Sequence, residues 1–127
     1  MQSNFPIQDP AIRTIAMPAD TNPAGDIFGG WLMGQMDLAA GNTAARLARG
    51  RVATVAVDGI QFLKPVCVGD EVTIFTELQS VGRTSMKIRI EAWRRARHSD
   101  ETERVTEAIF TFVALDEVGH PRVVSEL

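Results

Sequence analysis

Asp37 is the one charged residue between Asp26 and Arg46, in a run that reads as a helix of about five turns. Its neighbours at helical spacing are Met33, Gly34, Ala40 and Gly41, none of them charged. A solvated aspartate is the bland reading, but a surface helix of this length carries charges of both signs. The carboxylate is therefore expected to be at least half-buried. Such a group must find donors, hold its proton more tightly, or face a water-filled cleft. The third option describes an active site, where a carboxylate acts as general base toward water or attacks an electrophile itself. Gly29 and Gly30, at the start of the same helix, leave backbone N–H groups open to a ligand and could hold an oxyanion. Tight packing at a turn explains a lone Gly-Gly pair equally well. Gly30 and Asp37 lie about 10 Å apart along one helix at ~1.5 Å per residue, too far to meet around one atom. If both act, a second copy of the chain must bring them together.

Other chemistries find little support. There is no GxSxG, and of Ser3, Ser80, Ser85, Ser99 and Ser125 only Ser99 has a histidine, His98, beside it, in a polar turn segment. His98 and His120 fall in polar turn regions without metal-ligand spacing, so no metal is expected. Cys67 reads as a small apolar residue at a strand end. Gly82, Arg83, Thr84 and Ser85 read as a hairpin turn, and with Lys87 they would also suit contacts to phosphate.

The elements that must position these residues follow from pattern. Residues 1–10 read as an arm or a loose terminus, 11–17 as an edge strand and 18–26 as a loop. The helix carries Trp31, Leu32, Met33, Met36, Leu38 and Leu47 among many Gly and Ala residues, which suits burial against a close surface. Four extended segments follow, and in KIRIEAW the residues Ile88, Ile90 and Ala92 share one face while Lys87, Arg89 and Glu91 share the other. CVGD, VGRT and RHSDETER look short enough for hairpins. The expected fold is α+β, a curved antiparallel sheet wrapping one long helix.

The chain has 127 residues, 45% hydrophobic and 23% charged, which fits one globular domain. A net charge of -3 argues against nucleic acid as a partner. One cysteine allows no internal disulfide, and no apolar run is long enough for a signal peptide or a membrane span. A cytoplasmic location is the default expectation.

RTIAMPADTNPAGDIFGGWLMGQMD closely resembles the hotdog-fold acyl-CoA thioesterases of the YciA and acyl-CoA hydrolase group. The likeness continues through GRVATVAVDGIQFLKPVCVGDEV and VGRTSMKIRIEAW to VTEAIFTFVALDEVGHPR. It implies an arm over residues 1–12 and a hotdog domain over 13–127, with hydrolysis of an acyl-CoA thioester and no cofactor beyond the CoA of the substrate. The family's helical acid falls on Asp37 and its polar loop positions on Asn22 and Asp26. Gly29 and Gly30 match the glycines that meet the thioester carbonyl, and Gly82, Arg83, Thr84 and Ser85 match a hairpin used near the CoA phosphates. Pro23 departs from the family pattern and stiffens the loop. The resemblance also implies a homo-oligomer with a dimer as its minimal unit, commonly assembled as a hexamer of three dimers. A noncatalytic acyl-CoA-binding module would gain nothing from a costly carboxylate on an apolar helix. A hotdog dehydratase would need a histidine on the helix or its leading loop, and neither His98 nor His120 is there.

Overall fold

The computed structural model describes residues 5–124, so Ser3 and Ser125 lie outside the described residues. Its one α-helix, α1, spans Gly29–Ala48, and five strands follow or precede it: β1 (Ile12–Ile15), β2 (Val52–Phe62), β3 (Glu71–Val81), β4 (Ser85–Arg95) and β5 (Thr102–Ala114). All pairings are antiparallel, in the order β1-β3-β4-β5-β2. This is the expected architecture, one helix held by one sheet.

Alanine, methionine and leucine dominate α1, and these residues lose little side-chain freedom in a helix. Arg49 ends it in the left-handed conformation at φ 56°, with its N–H turned back to the Ala45 and Arg46 carbonyls. Leu32, Met36, Ala39, Ala40, Ala44 and Ala48 form its buried face. Small residues there let the helix settle close to Met86, Ile88, Ile90, Phe110 and Phe112 on the inner face of the sheet. The alternation in β4 is as expected: Met86, Ile88, Ile90 and Ala92 point inward, while Lys87, Arg89 and Glu91 point outward.

The outer face neutralises its own charge. Glu91 and Glu107 stand directly opposite across β4 and β5. Arg89 bridges them at 2.6 and 3.2 Å, and Arg104 lies at 3.7 and 3.5 Å from the same two groups. Burial opposes the charge on Arg89, yet hydrogen bonding and attraction to the two glutamates raise its pKa further above the arginine value.

Three expectations need correction. The arm is not loose over its described part: the Phe5 ring stands edge-on to Phe75 at 5.3 Å and to Trp93 at 5.5 Å. Gln8 also donates to the Thr76 carbonyl, and β1 begins at Ile12, inside the expected arm. Covering two outer-face aromatics offsets the cost of ordering the arm. CVGD is not a hairpin, because β2 pairs with β5 at the far edge from β3. The chain instead crosses the end of the sheet and turns sharply at 67–70, where Asp70 accepts from the Cys67 N–H at 2.9 Å and from Arg94 at 3.3 Å. Cys67 accordingly sits exposed in that turn and not at a strand end.

Candidate active site

The loop leading into α1 is held by Asn22. Its side-chain oxygen accepts the N–H groups of Ala24 and Asp26 at 3.0 and 3.1 Å, and its own N–H donates to the Asp26 carbonyl at 2.7 Å. Gly25, at φ 90°, closes the turn by donating to the Asn22 carbonyl. Pro23 therefore occupies the second position of a tight turn, which its fixed φ favours. The Asn22 amide nitrogen keeps its hydrogens, and the exposed Asp26 carboxylate has no hydrogen bond among the described residues.

This loop delivers the chain to an uncapped helix. Phe28 precedes α1 and offers no side-chain acceptor, and the N–H groups of Gly29, Gly30 and Trp31 find no backbone partner among the described residues. The two glycines differ. A Cβ on Gly29 would come within 3.3 Å of the Phe62 ring, whereas one on Gly30 would meet nothing within 4 Å. Packing accounts for Gly29; at Gly30 the backbone is simply open. Beside them lies an apolar cleft of about 270 Å³, walled by Phe28, Gly29, Leu32, Phe62 and Pro65.

Asp37 is half-buried, as its uncharged surroundings foretell. It opens onto a hollow shared with Leu38, Asn42, Val52 and Phe112. Thr54 on β2 donates its hydroxyl to Asp37 Oδ1 at 2.5 Å, and no cation pairs with the carboxylate among the described residues. One oxygen is thereby fixed and Oδ2 is left to the hollow.

Gly82, Arg83, Thr84 and Ser85 form the β3–β4 turn, closed by the Gly82 N–H on the Ser85 carbonyl at 2.8 Å. The Thr84 carbonyl accepts from Ala114, which is the register partner of Val52 at the start of β2. The hairpin thus stands at the C-terminal end of α1, and the Arg83 side chain is exposed with no ion-pair partner among the described residues. His98 and His120 are exposed in turns, and no group of His, Cys, Asp and Glu is arranged for a metal among the described residues.

Within one chain the site residues therefore fall into two groups. Asn22, Asp26, Gly29 and Gly30 gather at the helix start, near the end of β2 at Phe62. Asp37 lies two turns on, beside Thr54 and toward the hairpin. Sequence reasoning missed Thr54 and Phe62. Both come from β2, and only the three-dimensional crossing of β2 over α1 shows that they touch the site.

This fold, with open donors at a helix start and an acid further along the same helix, is that of a hotdog thioesterase. The sequence profile of the thioesterase superfamily matches residues 24–100, and the chain belongs to that family. It is 58% identical over 116 residues to an uncharacterized acyl-CoA thioester hydrolase of Zymomonas mobilis, covering 91% of this chain and 78% of that one. To the acyl-CoA thioester hydrolase YciA of Escherichia coli it is 48% identical over 124 residues, 95% of this chain and 94% of the other. The crystal structure of a hexameric thioesterase from Yersinia pestis superimposes with a TM-score of 0.91 at 48% identity, over 97% of this chain and all of that one (100%). No helix among the described residues is long and apolar enough to cross a membrane.

Proposed function

We propose that the protein hydrolyses acyl-CoA thioesters at a site shared by two copies of the chain, with the Asp37 of one copy facing the helix start of the other. The carrying observation is the open edge of β2. This strand of 11 residues pairs on one side only and holds a single charged residue, Asp58. Val55 on it is 57% exposed, and Leu38 on the neighbouring helix 63%. Long apolar edges are otherwise avoided because they invite pairing. In a two-fold dimer, like edges pair antiparallel. The Phe62 end of one β2 then lies against the Thr54 end of its partner, which carries the Gly30 donor of one chain toward the Asp37 of the other. Hexamers of three such dimers are the assembly proposed here, in keeping with the hexameric state of the Yersinia enzyme.

In this site the thioester carbonyl accepts the Gly30 N–H, and the positive end of α1 favours the charge that develops on its oxygen. Asp37 Oδ2 takes a proton from water as the water oxygen bonds to the carbonyl carbon; direct attack by the same oxygen is the nucleophilic variant. Collapse of the tetrahedral species breaks the carbon–sulfur bond, and the proton held by Asp37 passes to the leaving sulfur, which releases CoA as its thiol and restores the carboxylate. Thr54 holds the carboxylate in place, the Asn22 amide positions water or thioester, and Arg83 takes a CoA phosphate. Water and carboxylate supply every proton moved, so the reaction calls for no metal or further cofactor. A lone cysteine and CoA-linked substrates suit a cytoplasmic enzyme.

Mixing tests the shared site. Asp37→Asn and Asn22→Ala are each expected to be inactive, while subunit exchange between them restores roughly a quarter of wild-type activity, since half the dimers are mixed and each mixed dimer holds one intact site. No recovery in mixtures shown to exchange by mass spectrometry overturns it.

A further inference from the structure

The substrate's acyl group is fixed at one point, the carbonyl held by the start of α1. From there its alkyl chain has two ways to run, into water or into the apolar cleft of which Gly29 is part of the wall. Lys64 is the only charged residue lining that cleft, and its Nζ is drawn aside to Glu103 at 3.9 Å. The other side chains lining it are hydrocarbon or aromatic, with Leu32 and Val66 buried behind it. Phe62 forms the wall of the cleft on the β2 side. It is half-exposed at the end of β2, where Gly59 at φ 62° and a register shift between Asp58 and Gln61 redirect the strand. A Cβ on Gly29 would sit 3.3 Å from the Phe62 ring, tight enough that the ring would have to give by a few tenths of an ångström.

We propose that Phe62 determines which acyl-chain lengths the enzyme accepts, its ring forming the side wall of a cleft that takes the acyl chain. The proposal rests on the acyl-CoA reading above and adds the subsite that discriminates among acyl-CoA esters. Burying one methylene is worth about fourfold in binding. Specificity therefore climbs with each added carbon until the chain reaches the end of the cleft, and then stops climbing. Removing the ring widens the cleft on the β2 side, toward the partner, and lengthens the apolar track.

The test is kcat/KM for straight-chain acyl-CoA esters from acetyl to palmitoyl, measured on the wild-type oligomer and on Phe62→Ala. Wild type is expected to gain about fourfold per methylene over the shorter esters and then to level off. In Phe62→Ala the plateau moves to longer chains by two carbons or more, each ester being scaled to acetyl-CoA on the same variant. Phe62→Leu, a milder change that keeps the fold, shifts it in the same direction by less. Parallel profiles, with every ester scaled by one factor, overturn the assignment. So does a flat wild-type profile together with weakened dimers in Phe62→Ala on sedimentation, the signature of a cleft filled by the second copy of the chain. Failure of wild type to release thiol from any ester refutes acyl-CoA hydrolysis itself, and the Phe62 role falls with it.

Discussion

Two half-buried carboxylates on the two sides of the sheet are treated in opposite ways. Glu91, on the outer face, has Arg89 at 2.6 Å, Arg104 at 3.7 Å and the Trp93 indole N–H at 2.9 Å. Asp37, on the helix, has one neutral hydroxyl. An acid surrounded by cations and donors is a structural part, because any reaction at it would have to break those bonds first. An acid with one oxygen pinned and the other open is kept available, at a cost in desolvation that the fold must meet elsewhere. Burial alone does not separate the two; the partners do.

The largest effect expected from this contrast is at Asp37. Asp37→Asn preserves volume and the Thr54 contact but removes the basic oxygen, so kcat should fall by about 10²- to 10⁴-fold with an unchanged circular dichroism spectrum. Near-normal turnover would place Asp37 with Glu91 among the structural acids.

Arg89→Ala should do the reverse. It leaves Glu91 and Glu107 face to face with Arg104 alone between them, and like charges directly opposite destabilise a sheet. Denaturant unfolding is expected to show a loss of about 1–2 kcal/mol, with kcat of the folded enzyme unchanged. A drop in kcat instead would tie the outer face to the chemistry.

The smallest effect concerns Glu103, whose carboxyl is held below the ordinary value of 4.5, chiefly by its hydrogen bonds from Arg94, with Lys64 adding attraction. Because folding lowers this pKa, the pair stabilises fully above the unfolded value, and the contribution fades as pH falls through the folded one. The group is well exposed, so only a few tenths of a kcal/mol are at stake. Between pH 6 and 3.5, thermal melts should fall more steeply for wild type than for Glu103→Gln, by about 1–2 °C. Identical slopes would show the bridge to be idle.

Much of this could be read from the chain before any coordinates. β3 coincides with the run EVTIFTELQSV, because its apolar residues and flanking glycines mark both ends. The helix announces itself by its small residues, and the scarcity of charge around Asp37 correctly foretells a half-buried acid. What stayed hidden are relations between elements. Periodicity identifies β2 as a strand but cannot say that its neighbour is β5, so the crossover after Phe62 looked like a hairpin. Nothing local links Thr54 to Asp37, since they belong to different elements and meet only through packing. The division of the site into two clusters, inferred along the helix axis from Gly30 and Asp37, becomes a spatial fact only when the hairpin and the leading loop prove to lie at opposite ends of α1.

The strand order carries a consequence for how the molecule is made. β2 is synthesised early, yet its only partner is β5, and Val52 waits for Ala114. The last carbonyl of α1 waits longer still, because Ala48 accepts its hydrogen bond from Arg122. Pairings between such distant stretches form slowly. A chain still on the ribosome therefore has no finished β2 edge, and the pairing proposed between two copies waits until each has been made through Ala114. In the proposed dimer, placing β2 beside β5, the last of the five strands, ties the pairing edge to a chain made at least as far as Ala114.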